Sequence, residues 1–258
     1  MATRVAAGRR PRTLAFDIGG SGLKALVLDA TGKAVTDRVR VETPYPCPPE
    51  RLIAELAKIA APLEPYERVS VGFPGVVRDG RVYTAPNLSR RSGPDSEVDP
   101  KVQAAWHTFD LADALSAALG VPVRVANDAD LQGGDVVSGK GVEVVLTLGT
   151  GLGSAVYADG RLALHLELAH HPFRNGHTYE EELGEVARQK LGNKKWTGRV
   201  IEAVETVDQL IAPDHIYIGG GNAKRLKTDF SDVQLLCGKV TLVDNTAGLL
   251  GGIKLWKR

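Results

Sequence analysis

The chain has 258 residues, 43 % of them hydrophobic and 24 % charged, with a formal net charge of +1. Such values suit a globular protein of one large or two modest domains and give no sign of a nucleic-acid partner. No apolar run approaches the roughly 20 residues of a membrane span, and Cys47 and Cys237 lie far apart without a pairing pattern, which fits a reducing cytoplasm rather than a disulfide scaffold.

Arg9-Arg10-Pro11-Arg12 lacks the apolar core of a signal peptide, so residues 1–12 are expected to form a short disordered tail. Strands are expected at 13–18, 23–29 and 33–41, before a Pro-rich connection through Pro44, Pro46, Pro48 and Pro49. Leu52, Ile53, Leu56 and Ile59 recur at helical spacing and predict a helix over 49–61. A buried strand follows from Val69 and ends in a turn at Gly75, then a short strand runs from Gly80 to Tyr83. Residues 87–105 are polar and read as a long loop of functional or mobile character. A helix at 110–119 and a strand from Val121 to Ala126 close this half.

The second half repeats the opening. Leu14-Ala-Phe-Asp-Ile-Gly-Gly-Ser-Gly-Leu-Lys24 and Val145-Leu-Thr-Leu-Gly-Thr-Gly-Leu-Gly-Ser154 each read strand, glycine-rich turn, strand. A stretch rich in His and Glu follows at 165–182, then helices at 179–191 and 194–212, a strand from His215 to Ile218, Gly219-Gly220-Gly221, and a closing helix from Asn245 to Trp256. Strands and helices that alternate after each meander predict an α/β architecture. The repetition divides it into a domain over 13–126 and a second over 127–258, whose terminal helix can pack back on the first.

The candidate functional residues fall at the turns. Gly19, Gly20, Ser21 and Gly22, with Gly149, Thr150, Gly151 and Gly153, can expose backbone amides as an anion-binding concavity; a tight hairpin turn is the plainer reading of either alone. Asp17 ends a strand just before such a turn, where a carboxylate would repel phosphate unless a cation intervened, so Mg²⁺ held through water is its natural role. Lys24 adds positive charge beside the turn or is a solvated residue on an alternating strand. Asn127-Asp128 reads as a helix N-cap or as a general base at the carboxyl end of a strand. His165, Glu167, His170, His171 and His177 are dense for a chain with six histidines, and they suit a metal or paired polar contacts to a hydroxylated substrate. Gly220 and Gly221 permit close approach of a planar ligand or form a plain turn. Arg90-Arg91 with Lys190, Lys194 and Lys195 form a basic track for a polyanion or a solvated face.

Taken in order, these motifs resemble the sugar kinases of the ROK (repressor, open reading frame, kinase) family. The resemblance rests on Asp17-Ile-Gly-Gly-Ser-Gly-Leu-Lys24, Gly72-Phe-Pro-Gly75, Ala85-Pro-Asn-Leu88, Asn127-Asp-Ala129, Leu148-Gly-Thr-Gly-Leu-Gly153, Glu167-x-x-His170, Gly219-Gly-Gly221 and Ala247-Gly-Leu-Leu-Gly-Gly252, and covers 13–256. It implies the actin-like ATPase (ribonuclease H-like) fold, with two similar domains flanking a cleft. The Gly-Ser-Gly-Leu-Lys form of the first turn is most similar to the polyphosphate glucokinases of that family.

The resemblance implies a cytoplasmic kinase that passes a phosphoryl group from polyphosphate or ATP, with Mg²⁺, to O6 of glucose. It makes Asp128 the catalytic base and makes Asn87, Asn127, Glu167, His170 and one of Glu180, Glu181 and Glu182 sugar contacts, with Glu180 the choice. An ATP-dependent kinase of mannose or an N-acetylated hexosamine, or a catalytically silent sugar-binding protein, are the alternatives. The family's usual Glu-x-Gly-His reads Glu167-Leu-Ala-His170 here, and its Cys-rich zinc segment is absent, so no structural zinc is expected. The tail is too short for a helix-turn-helix, and a homodimer is the default assembly.

Overall fold

Leu14, Phe16 and Ile18 alternate with Ala15 and Asp17 along β1 (Thr13–Ile18), and all but Asp17 are buried, so this strand lies inside a sheet covered on both faces. The computed structural model describes residues 11–63, 65–93, 96–134, 136–163, 166–243 and 251–256. Residues 1–10 of the expected tail, His165, and the Asn245 to Leu250 part of the expected closing helix lie outside them. Contacts divide the chain into two units, Met1–Asp128 with Leu249–Arg258, and Ala129–Gly248.

In the first unit, β2 (Leu23–Leu28) and β3 (Val39–Val41) continue from β1 as an antiparallel meander. α1 (Pro49–Ala60) starts with proline in its first turn and buries Leu52, Leu56 and Ile59 on one face. β4 (Arg68–Phe73) leads into β5 (Val77–Arg78) and β6 (Arg81–Val82). Next come α2 (Pro100–Trp106), β7 (Phe109–Asp110), α3 (Leu111–Leu119) and β8 (Val123–Asn127). The main sheet has the order β3-β2-β1-β4-β8, with β4 parallel to β1 and β8 parallel to β4. Its core gathers Phe16, Leu52, Phe73, Trp106 and Leu115, and the buried Trp106 indole donates to the Cys47 carbonyl at 2.9 Å.

The second unit contains all but the first residue of α4 (Asp128–Gly134), then β9 (Val142–Leu148), β10 (Leu152–Ala158) and β11 (Arg161–Leu162). A small hairpin of β12 (Pro172–Arg174) and β13 (His177–Thr178) leads to α5 (Tyr179–Leu183), which opens on a capping box between Thr178 and Glu181. α6 (Glu185–Ile211), β14 (His215–Gly219) and β15 (Val240–Leu242) complete it. Its sheet, β11-β10-β9-β14-β15, has the same topology as the first: an antiparallel meander, then two parallel strands.

Several elements differ from the sequence reading, each for a local reason. The third strand is only Val39–Val41: Ala34 bridges Leu28 and the Val35 amide donates to the Val27 carbonyl at 2.8 Å, but the Val27 amide donates to the Thr36 hydroxyl at 2.9 Å and the chain from 36 to 38 leaves the ladder. The last six residues of the expected 87–105 loop are helical: Asp99 caps α2 by accepting from the Lys101 and Val102 amides, with Pro100 at the first helical position. The helix expected at 179–191 stops at Gly184, which is extended (φ −69°, ψ 172°), and α6 is itself interrupted at Gly192 (φ 75°, ψ 155°). The described end of the chain is a 3₁₀ turn, Gly251–Trp256, rather than an α-helix.

That turn is part of the first unit. Ile253 packs with Ala15, Leu26 and Leu28, and the Trp256 indole donates to the buried Ser70 hydroxyl at 2.9 Å, with the Arg124 and Arg68 guanidinium carbons 4.5 and 5.2 Å from its ring centre. Trp256→Ala removes this packing and cation–π contact. It is expected to destabilise the first unit by about 2–4 kcal/mol, read by denaturant unfolding, with hydrogen exchange accelerated in β1 and β4.

Candidate functional site

The turn between β1 and β2, Gly19 to Gly22, is closed by the Gly19 amide donating to the Gly22 carbonyl at 3.0 Å. Its other carbonyls are also taken: the Thr43 hydroxyl donates to Gly19 O at 2.6 Å, the Tyr45 hydroxyl lies 2.6 Å from Gly20 O, and Arg40 Nη2 donates to Ser21 O at 3.4 Å. The amides of Gly20, Ser21 and Gly22 donate to no group among the described residues. A turn whose acceptors are satisfied and whose donors are open favours an anion. Burial pushes the Tyr45 hydroxyl above the ordinary tyrosine range, so it stays a donor, and it also reaches the Asn87 carbonyl at 2.8 Å. Asn87 is thereby brought against Gly20.

The turn between β9 and β10 solves the same problem with other partners. Gly149 N donates to Gly151 O at 3.0 Å, Asn222 Nδ2 to Gly149 O at 2.9 Å, and the Glu185 amide to Thr150 O at 3.0 Å, while the amides of Thr150 and Gly151 donate to nothing among the described residues. Gly153 lies inside β10, opposite Thr147, and is outside the turn. Gly220 follows β14 with φ 89°, and a Cβ there would lie 2.3 Å from the Leu148 carbonyl oxygen, so the chain crosses the end of β9 only as glycine. Asn222 is in turn held by Glu185 Oε2 at 2.8 Å, and Arg188 grips the same carboxylate twice, at 2.9 and 2.6 Å. The Arg188 hydrogen bonds, with those of Gln189 and Asn222, hold the Glu185 carboxyl down at about 2.

Asp17 faces Lys24 across the β1–β2 ladder, and the two form an ion pair of 2.7 Å. Asp17 is also the register partner of Gly72 in β4, while Thr147 pairs with Gly219 in the second sheet, so the two positions are equivalent and only the first carries a carboxylate. Asn127 ends β8 and is buried; its side-chain amide donates to the Gly75 carbonyl at 3.0 Å. Asp128, half-buried, begins α4 directly after it.

In the second unit, His170 ends the 3₁₀ turn Leu168–His170, and its Nδ1 lies 3.5 Å from Glu180 Oε2. Glu180 also packs on Gly151, where a Cβ would lie 2.3 Å from Oε1. The neighbouring acids are engaged elsewhere: Glu181 accepts from the Thr178 amide at 2.7 Å, and the buried Glu182 pairs with Arg199. Of the three glutamates, Glu180 is thus the one brought to both His170 and the glycine turn. Glu167 is exposed at the head of the same 3₁₀ turn. Ala169, where the family motif has glycine, is buried at an ordinary negative φ, so its backbone makes no demand for glycine. Arg90 Nη1 donates to Ser96 O at 2.5 Å, while Arg91, Lys190, Lys194 and Lys195 are exposed. Among the described residues no three His, Cys, Asp or Glu side chains gather as a metal site, and no helix is long and apolar enough to cross a membrane.

Arg40, Thr43, Tyr45, Glu185, Arg188 and Asn222 were not singled out by sequence. The spacing of Glu185 and Arg188, one helical turn apart, was the only local signal for any of them; the rest act through contacts 19 to 73 residues away in the chain.

The ROK family model matches residues 13–184. A polyphosphate glucokinase of Mycobacterium tuberculosis is 31 % identical over 250 residues, 92 % of this chain and 88 % of its own length. An N-acetylmannosamine kinase of Escherichia coli is 28 % identical over 224 residues, 84 % of this chain and 68 % of its own. Among solved structures, the inorganic polyphosphate/ATP-glucomannokinase from Arthrobacter sp. superposes with a TM-score of 0.76 at 31 % identity, covering 95 % of this chain and 98 % of that one. A ROK family glucokinase from Streptomyces griseus, solved with glucose and AMPPNP, shares the fold at a TM-score of 0.69 and 21 % identity, covering 95 % and 98 %. The fold is that of the actin-like ATPases.

Because the Glu185 carboxyl is held at about 2, below its ordinary 4.5, the stability it contributes is complete above pH 4.5 and is lost as the pH falls through about 2. Glu185→Gln should flatten the acid side of the melting-temperature profile over that interval, measured by calorimetry from pH 5 to pH 2. An unchanged slope would exclude the hydrogen bonds of the Glu185 carboxylate with Arg188, Gln189 and Asn222 as a source of acid-sensitive stability.

Proposed function

The chain belongs to the ROK family, and from that premise we propose that it is a cytoplasmic sugar kinase that transfers the terminal phosphoryl group of polyphosphate or ATP to O6 of glucose. The observation that carries the reading lies in the first unit, where an amide-open turn follows β1 and a carboxylate, Asp128, stands at the carboxyl end of the parallel strand β8; the second unit carries an amide-open turn of its own. Crevices at such strand ends are where α/β sheets take their ligands. The relatives named above supply the substrates.

In this reading Asp128 accepts the proton of the 6-hydroxyl as its oxygen attacks phosphorus, which leaves the donor's remaining phosphates as the leaving group. The hydrogen bond from Asn127 to Gly75 O fixes the backbone that carries Asp128. Asn87, Asn127, Glu167, His170 and Glu180 hold sugar hydroxyls, a role that the contact of Glu180 with His170 supports. The amides of Gly20 to Gly22 and of Thr150 and Gly151 bind the donor phosphates, with Lys24 beside the first set and Gly220 and Gly221 beside the second.

Mg²⁺ fits Asp17. This metal takes one or two carboxylates and completes its shell with phosphate oxygens and water, and at Asp17 it would share or displace the ion pair with the Lys24 ammonium, 2.7 Å away. When bound, Mg²⁺ neutralises charge developing on the transferring group.

Asp128→Asn should lower kcat for glucose 6-phosphate formation about 10²- to 10⁴-fold with either donor, while leaving glucose binding measurable by calorimetry. A variant that retained a tenth of the activity would sink the base assignment. Run in parallel with polyphosphate and ATP, and with glucose, mannose and N-acetylmannosamine as acceptors, the wild-type assay should favour glucose. Preference for the N-acetylated sugar would instead align the chain with the N-acetylmannosamine kinase it resembles.

A further inference from the structure

The ladder of the first sheet sets Asp17, Lys24 and Arg40 in one row: Asp17 is the register partner of Lys24, and Lys24 of Arg40. Cross-strand partners share a face of a sheet, so two cations and one carboxylate stand side by side. Lys24 is committed to Asp17 at 2.7 Å. Arg40 is the surplus charge, and among the described residues no carboxylate lies within ion-pair distance of it.

Arg40 nonetheless lies against the turn. A Cβ on Gly22 would lie 3.0 Å from its Nε and 3.2 Å from its Nη2, so the guanidinium lies over the backbone of the turn, at a distance that a side chain on residue 22 would crowd. Its one hydrogen bond, from Nη2 to the Ser21 carbonyl, is long at 3.4 Å and leaves most of its five N–H donors open. An arginine seated on a turn whose three amides are also open has the composition of a phosphate site, because the planar fork matches phosphate oxygens and the amides add further donors.

We propose that Arg40 is a donor-phosphate contact: with the amides of Gly20, Ser21 and Gly22 it binds the non-transferred phosphates of a linear polyphosphate moiety, free or borne by a nucleotide. Lys24 is occupied by Asp17, so Arg40 supplies the positive charge that the turn presents. This rests on the phosphoryl-transfer reading, and the two are separable by experiment.

Inorganic tripolyphosphate is titrated calorimetrically into wild type, Arg40→Gln and Arg40→Lys, and donor and glucose KM are measured for each. Loss of a charge-assisted contact should weaken tripolyphosphate binding at least about tenfold in Arg40→Gln, with Arg40→Lys between it and wild type. The donor KM should rise in step, and the glucose KM and melting temperature should stay at wild-type values. Tripolyphosphate binding in Arg40→Gln within about twofold of wild type, or no binding by wild type, overturns the proposal. If binding depends on Arg40 while wild type forms no glucose 6-phosphate from either donor, the anion site stands and the kinase reading falls.

Discussion

Parallel pairing of β1 with β4 and of β4 with β8 is the constraint on which the first unit depends. It requires the long crossovers that carry the helices, and it brings the carboxyl ends of all three strands to one end of the sheet. Asp17 at the end of β1, Gly75 after β4 and Asn127 with Asp128 at the end of β8 are neighbours for that reason. Through Gly72, Asp17 shares a rung with Ala126, two strand spacings or roughly 10 Å away. Two carboxylates, Asp17 and Asp128, therefore stand at one sheet end, although more than a hundred residues separate them in the chain.

The second sheet repeats the constraint with a different chemical content. Thr147 takes the place of Asp17, and Gly219 that of Gly72. In both copies the hairpin turn has its carbonyls consumed and its amides open, but the means differ. Thr43 and Tyr45 follow the meander in the first, whereas in the second the α6 amide of Glu185 and the side chain of Asn222 do the work. What the duplication keeps is the polarity of the turn, since open donors and filled acceptors select anions whichever residues fill them. The charge of the Glu185 carboxylate, close to an amide-open turn, is neutralised by Arg188, which is bound to it twice.

Much of this was legible in the sequence. Alternating and continuous apolar runs located both meanders and the parallel strands β4, β8 and β14, though not β15, and the glycine turns, Asp17 and Asn127-Asp128 announced themselves by their position at strand ends. The short helix α2 was hidden because its seven residues carry too few apolar positions to establish a period, and only the Asp99-Pro100 cap marks it. The third strand was read too long because nothing in residues 33–38 tells that the Thr36 hydroxyl takes the Val27 amide in place of a backbone partner.

The sequence by itself determined the repeat, the order of its main strands and longer helices, and the residue types at each turn, since these follow from local pattern and from the backbone freedom of glycine. Only the tertiary structure decided among chemically identical candidates. It brought Glu180, rather than Glu181 or Glu182, to His170 and Gly151, tied Lys24 to Asp17, and left Arg40 as the surplus cation on the first turn. Charge and hydrogen-bonding capacity are properties of a residue, but whether they are already spent depends on partners that folding brings from elsewhere in the chain.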